Sequence, residues 1–129
     1  MKKMSLMLLA IFAIAVASYA QGGFQRPSIE DRVKRVHTKI DSAFKLDAAK
    51  LAATDSTFAG YYRAQDAKRD ELRASGSTDR DAMMAEMKKL TDARDEKLKA
   101  ILTEEQFKIW KEQIEPSMRP QRPPGGGGN

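Results

Sequence analysis

A chain of 129 residues has room for one domain, and the absence of cysteine excludes disulfide bridges and lipid attachment through a cysteine. Basic residues outnumber acidic ones by 23 to 18, but the excess lies near the ends, since residues 27–115 carry 18 of each sign. A neutral central segment argues against nucleic-acid binding. The single histidine and the lack of a glycine-rich phosphate loop also give no support for an enzyme, so we expect no catalytic residue, cofactor or metal.

The first 20 residues are typical of a signal peptide. Lys2 and Lys3 precede an apolar stretch that ends at Ala17, and Ser18-Tyr19-Ala20 fits a cleavage site. The apolar stretch is shorter than the ~20 residues that a membrane span needs. We therefore expect cleavage after Ala20, a periplasmic location and no stable membrane insertion of the mature protein.

The helical domain is predicted to cover residues 28–115, after a flexible N-terminal arm at residues 21–27. Ser28 can cap the first helix through its hydroxyl group. An apolar stripe at helical spacing follows, and it consists of Ile29, Val33, Val36, Ile40 and Phe44. His37 lies beside this stripe and is interpreted as a partly exposed structural residue, because a metal site needs several convergent ligands.

Two long helices are predicted next. The first runs from about Asp47 to Ala74, with a weak or bent point near Gly60 and a left-handed stop at Gly76. Its buried side is expected to carry Leu51, Phe58, Tyr62 and Leu72. The second is predicted to be capped by Thr78, with an apolar stripe of Met83, Met87, Leu90, Leu98 and Ile101.

A capping box opens the fourth predicted helix. The Thr103 hydroxyl can accept from the backbone of Gln106, while the Gln106 side chain returns to the backbone of Thr103. Leu102 and Phe107 occupy the two positions of a hydrophobic staple, which fixes the angle between successive helices. The helix is predicted to end at Pro116, and residues 116–129 are expected to be a disordered tail rich in proline, arginine and glycine.

The capping segment, from Leu102 to Gln106, resembles the LTxxQ motif of the Spy/CpxP family of periplasmic proteins. An upstream copy keeps Leu46 and the N-cap residue Asp47, but Lys50 stands where the motif has glutamine. The resemblance covers roughly residues 28–115. We assign an architectural role to its residues, which are Leu46, Asp47, Leu102, Thr103 and Gln106.

This resemblance implies an all-α fold, in which an elongated four-helix, hairpin-like layer forms a cradle-shaped homodimer. Helices of this length also predict a dimer on physical grounds, because a thin layer leaves apolar surface uncovered. The implied function is that of an ATP-independent chaperone, which binds unfolded or misfolded envelope proteins during envelope stress. The alternative is a CpxP-like regulator that binds the sensor domain of an envelope-stress kinase.

The candidate client-binding residues lie on the second and third helices. Tyr61 and Met84 are rotated about 100° from the predicted apolar stripes, so we expect them to face outward. Tyrosine and methionine both suit adaptable binding surfaces. The basic residues that accompany them are Arg63, Lys68, Arg69, Lys88 and Lys89. The neighbouring Phe58, Tyr62, Met83 and Met87 are interpreted as ordinary core residues.

Overall fold

The structure is a computed structural model that describes residues 26–119. Within this part of the chain there are four helices and no strand, which confirms the all-α prediction. Their bounds are α1 Ile29–Phe44, α2 Ala48–Ala74, α3 Arg80–Ile101 and a fourth, continuous helix composed of α4 Glu104–Ile109, a π-helical turn Trp110–Ile114 and α5 Glu115–Met118. The predicted signal peptide, most of the predicted arm and residues 120–129 lie outside the described residues.

Polar side chains cap the helices largely as the sequence predicts. Ser28 accepts from the backbone N–H of Asp31, and Asp47 accepts from Lys50, so both predicted N-caps are confirmed. The predicted cap at Thr78 is wrong, because Asp79 caps α3 instead. A carboxylate at that position accepts from two backbone N–H groups at once and also complements the helix dipole.

The α2 helix continues without a break through the predicted weak point at Gly60. Two threonines in the turns before Gly60 donate hydrogen bonds from their hydroxyl groups to backbone carbonyls four residues earlier. Thr54 donates to Lys50 and Thr57 to Ala53, each at 2.8 Å. Packing against both neighbouring helices therefore outweighs the poor helix propensity of these residues. The helix ends at Ala74, and Gly76 just beyond it takes the predicted left-handed conformation, with a φ of 68°.

The fourth helix extends further than predicted, to Met118 instead of ending at Pro116. In the π-helical turn ahead of the proline, the backbone N–H of Glu115 donates to the carbonyl of Trp110, five residues earlier. A proline cannot donate to the carbonyl four residues earlier, and its ring normally clashes with that group. The wider turn loosens the hydrogen-bond ladder at this point, so the helix continues past Pro116.

All four helices contribute to one core. Its buried apolar side chains are Val36, Ile40, Phe58, Leu98, Leu102, Trp110 and Ile114. Both predicted joints pack against this core, since Leu46 and Phe107 are half-buried on it and Leu102 is buried within it. The capping box between Thr103 and Gln106 is present with both of its hydrogen bonds, which confirms that prediction.

The hairpin of α2 and α3 projects beyond the packed core. Helix α2 has 27 residues and α1 has 16, which at 1.5 Å per residue gives lengths of about 40 Å and 24 Å. Near its start α1 is fastened to Asp66 through Arg32, and α1 does not continue along the rest of α2. Every residue from 73 to 85 is exposed as a result, and we call this segment the hairpin tip.

Candidate functional site

A charged side chain, that of Arg94, lies inside the core. It is only 5% exposed, and its Nη2 atom donates to Asp95 at 2.7 Å and to Glu115 at 3.0 Å. Lys111 lies against the second oxygen of each carboxylate, at 3.0 Å from Asp95 and 2.7 Å from Glu115. These residues, which we call the charge quartet, balance two positive charges with two negative ones and join α3 to α5.

Aromatic rings surround the Arg94 guanidinium group. Its central carbon lies 4.8 Å from the ring centroid of Tyr61, 5.6 Å from that of Phe58 and 5.7 Å from that of Trp110. A planar cation gains electrostatic attraction from such ring faces, and the gain grows when water is excluded. The rings and the carboxylates together compensate for burying this charge.

The pKa values of Arg94, Glu115 and Lys111 all shift in the direction that favours the ionised form. Burial alone lowers the pKa of Arg94, but hydrogen bonds to Asp95 and the charge of Glu115 outweigh that effect, so the pKa rises. Burial opposes ionisation of Glu115 as well, yet its contacts with Lys111 and Arg94 hold its pKa below the usual value. The pKa of Lys111 is raised by the same carboxylates against the effect of burial. Groups whose pKa values shift in these directions suit a structural ion pair and not proton transfer near neutral pH.

Trp110 lies at the centre of this arrangement and is 2% exposed. Its indole ring meets Phe58 edge-on, with the ring centroids 5.1 Å apart. The indole N–H is buried and has no hydrogen-bond acceptor within residues 26–119. An unpaired buried donor costs free energy, so packing of the large ring must outweigh that loss.

A second charged cluster fastens α1 to α2. Arg32 donates to both oxygens of Asp66, at 3.0 and 2.9 Å, and to the side-chain carbonyl of Gln65 at 2.8 Å. The guanidinium of Arg32 also lies 4.1 Å from the ring centroid of Tyr62, whose pKa is raised because the ring is buried. Arg26 reaches the same Asp66 at 3.2 Å from the segment before α1.

The prediction that Tyr61 faces outward is wrong. Its ring is half-buried against the core, and its hydroxyl lies 3.3 Å from that of Thr91 on α3 and accepts from Gln65 at 3.1 Å. The α2 helix is covered by α1 on one side and by α3 on another. Its buried arc is therefore wider than a single stripe, and it includes a residue rotated 100° from the stripe.

The two adjacent methionines of α3 are both exposed. Met84 is 69% exposed, as predicted, whereas Met83 is 38% exposed and the prediction that it lies in the core is wrong. Both belong to the hairpin tip, where neither α1 nor the fourth helix covers the hairpin. They are the large apolar side chains that the described part of the chain leaves exposed.

The predicted basic residues do not form a single patch. Lys68 and Lys89 both approach Glu86, at 3.9 and 2.8 Å, while Lys88 binds Asp92 at 2.6 Å. These three lysines flank the hairpin near its tip. The other two predicted residues lie elsewhere, Arg63 in a groove between α1 and α2 and Arg69 on the side that faces the C-terminal end of α5.

His37 binds Asp55 through Nδ1, at 2.8 Å, and its side chain is partly exposed. It joins α1 to α2, as expected for a structural residue. In the part of the chain that the structure describes, no group of three or more histidine, aspartate or glutamate side chains is arranged to hold a metal ion. Within the same residues, no helix is both long and apolar enough to cross a lipid bilayer.

The sequence does indicate that Arg94 is buried, although the predicted apolar stripe of α3 omits this residue. Leu90 and Leu98 are eight residues apart on α3, and Arg94 lies midway, at the position where the stripe requires a buried residue. Such a gap with a cation in it predicts a buried charge, which in turn requires a carboxylate partner. Glu115 lies too far along the chain for spacing alone to identify it as that partner.

These observations define a small helical protein in which a charge-tied core supports a projecting hairpin. Residues 25–110, about two thirds of the chain, match the model of a protein family described as "Domain of unknown function (DUF4890)". The chain belongs to this family. The match includes Arg94 and Trp110 and ends before Glu115. No curated protein and no solved structure matches the chain.

Proposed function

We propose that this protein is a non-catalytic, ATP-independent chaperone that holds unfolded or aggregation-prone proteins. The observation that carries the proposal is the exposure of Met83 and Met84 on a hairpin tip that no other described helix covers. Methionine side chains are unbranched and polarizable, so they adapt to apolar segments of different shapes. A protein that binds many unfolded partners needs that adaptability more than it needs a shaped pocket.

Charge near the tip supports the same function. Met84 and Lys88 are one helical turn apart on α3 and therefore share a face, and Lys89 lies next to them. The side chains of both lysines are more than two-thirds exposed, and their acidic partners are on the same helix. Long-range attraction speeds the capture of an acidic client, and the apolar contacts then slow its release.

The helix joints support a relation to the Spy/CpxP family. At one joint Thr103 and Gln106 form both hydrogen bonds of a capping box, and at the other Asp47 caps α2 while Leu46 packs on the core. These contacts support the proposal that both copies of the motif have an architectural role, including the copy with Lys50 in place of glutamine. The proposal places the protein in the periplasm, exported by residues 1–20 and responding to envelope stress.

We further propose that the mature protein is a homodimer. In the described part of the chain two helices alone form the projecting hairpin, and the half-exposed apolar residues Leu72 and Met87 are not among those packed against the core. A symmetric partner would cover this surface and create a concave, cradle-like face. Light scattering tests this directly: we expect twice the mass of one mature chain at micromolar concentration, and the mass of a single chain would contradict the dimer.

The function is tested by suppression of aggregation. The mature protein is mixed, without ATP, with several unrelated denatured clients at up to equimolar ratio, and light scattering follows their aggregation. We expect suppression for all of them. Met84→Ser should weaken it, whereas Met84→Leu, which keeps an apolar side chain at the same position, should retain it. Circular dichroism must show equal helicity for both variants.

Other outcomes would decide against the proposal. If Met84→Ser protects every client as well as the parent protein does, the tip is not the client-binding surface. If no client is protected, the chaperone function is wrong. Saturable binding to one folded kinase sensor domain, without protection of denatured clients, would instead establish the regulatory alternative.

A further inference from the structure

A cleft at the base of the hairpin tip is lined by three arginine side chains. Arg69 and Arg73 come from α2, and Arg26 comes from the segment before α1. Ser77 and Met83 complete the lining. The cleft has a volume of about 390 Å³, which is ample for a phosphate group with part of its hydration shell.

The arginines of this cleft differ in their contacts with carboxylates. Within residues 26–119, Arg69 and Arg73 form no ion pair. Arg26 does contact Asp66, but that carboxylate already receives two hydrogen bonds from Arg32. Because Asp66 is already paired with Arg32, it does not neutralise the positive charge of Arg26 as well.

Two arginines of the cleft share one face of α2. Arg69 and Arg73 are four residues apart on α2 and so lie one above the other on the same face. Like charges at this spacing repel one another. An anion between them would turn the repulsion into attraction, and a guanidinium group can offer two parallel N–H donors to phosphate oxygens.

We propose that Arg26, Arg69, Arg73 and Ser77 form a binding site for a phosphate group. The arginines supply charge-assisted hydrogen bonds, and the Ser77 hydroxyl supplies a further donor at the mouth of the hairpin. Met83 gives the site an apolar border. This site rests on its own contacts and does not depend on the chaperone function. The phosphate is either a free ion or the headgroup of a phospholipid, because both present the same oxygens.

The first arm of the test uses inorganic phosphate and isotope-labelled mature protein. Phosphate replaces chloride at constant ionic strength, while nuclear magnetic resonance follows the Ser77 amide and the arginine Nε–H groups. We expect saturable shifts at these positions. Binding should be at least about tenfold weaker in the double variant Arg69→Gln/Arg73→Gln, which loses two charge-assisted donors.

A matched control removes the same charge elsewhere on the hairpin. Arg80 and Lys97 are exposed on α3 and do not line the cleft, so Arg80→Gln/Lys97→Gln should bind phosphate as the parent protein does. Equal weakening in both double variants would show that only net charge matters, and would overturn the site. An absence of saturable shifts in the parent protein would overturn it as well, unless the second arm detects a headgroup.

The second arm uses vesicles of phosphatidylglycerol and measures co-sedimentation. If the parent protein co-sediments and Arg69→Gln/Arg73→Gln does not, the site binds a lipid headgroup. If the protein binds inorganic phosphate and does not co-sediment, the site binds a soluble phosphate compound. Both results support the proposal. The proposal is wrong if neither arm shows binding that depends on Arg69 and Arg73.

Discussion

Arg94 on α3 and Glu115 on α5 are 21 residues apart in the sequence, and their side chains meet at 3.0 Å inside the protein. Asp95 and Lys111 complete a neutral quartet around this contact. The contact holds the last helical segment against α3 at the level of Phe58 and Trp110. The packed end of the molecule therefore depends on a buried ion pair as well as on apolar contacts.

Replacing the buried arginine should be strongly destabilising. Arg94→Met leaves two carboxylates in the core with Lys111 as their only cation, and the loss of one partner from a buried pair costs about 3–5 kcal/mol. Urea denaturation measures the change. Lys88→Met breaks an exposed pair with Asp92 and should cost less than about 1 kcal/mol. Similar losses in the two variants would contradict the structural role of Arg94.

The low pKa of Glu115 predicts an acid-sensitive contribution to stability. In the folded protein this pKa lies below the usual value of 4.5, so on acidification the unfolded chain takes up the proton first. The contribution is complete above that value and is lost as the pH falls through the folded pKa. Glu115→Gln should therefore be less stable than the parent protein at pH ~7, and the difference should narrow towards pH ~3. A constant difference between the two unfolding curves would contradict this linkage.

The two halves of the capping box should contribute unequally. Thr103→Ala removes the acceptor for the backbone N–H of Gln106, now at 3.1 Å, and should destabilise the fold by ~1 kcal/mol. Gln106→Ala removes only the reciprocal bond, at 3.0 Å to the N–H of Thr103, and should cost less. Chemical denaturation can rank the two variants. A larger loss for Gln106→Ala would mean that this side chain makes a further contact.

Lys45 offers a site where a substitution should stabilise the protein. It ends α1 in the left-handed conformation, with a φ of 48°, which is unfavourable for a residue with a Cβ atom. Lys45→Gly should raise stability by about 0.5–1 kcal/mol. Lys39→Gly, in the middle of the same helix, should lower stability by about 1 kcal/mol. Thermal unfolding of both variants tests the sign, and destabilisation by Lys45→Gly would contradict the argument.

Charge near the tip should affect how fast clients are captured. Lys88→Gln/Lys89→Gln should slow the association of an acidic unfolded client at low salt, because it removes long-range attraction. The difference should disappear at ~1 M salt, where the Debye length falls to about 3 Å. Lys97→Gln/Lys99→Gln removes the same charge further from the tip and should have a smaller effect. Stopped-flow fluorescence measures the rates, and equal slowing by both double variants would exclude a specific role for the tip.

Local signals in the sequence predict the helices of this protein well. The N-caps at Ser28, Asp47 and Thr103 and the left-handed stop at Gly76 all depend on residues within one turn, so they can be identified without tertiary structure. Pro116 fails as a stop signal for the opposite reason. Packing at Trp110 and a charge contact at Glu115 retain the helix beyond the point at which a proline normally ends it.

The candidate site could be predicted only in part. Met84 is exposed as expected, and it lies on the hairpin tip beyond the packed core. Tyr61 is not exposed, because a second helix closes over its side of α2, and a periodicity analysis of one helix cannot detect this. Met83 is exposed for a related reason. The apolar stripe of α3 continues beyond the end of the core, so no neighbouring helix buries this residue.

The length of the projecting hairpin is independent of the packed core. Its tip shares no hydrogen bond with α1 or the fourth helix among the described residues, so α2 and α3 can change length together without disturbing the buried quartet. Adding seven residues to each helix, about two turns, would keep the facing surfaces in register and move the tip outward by ~10 Å. The distance between the tip and the core can therefore be changed, by evolution or by engineering, while the core remains unchanged.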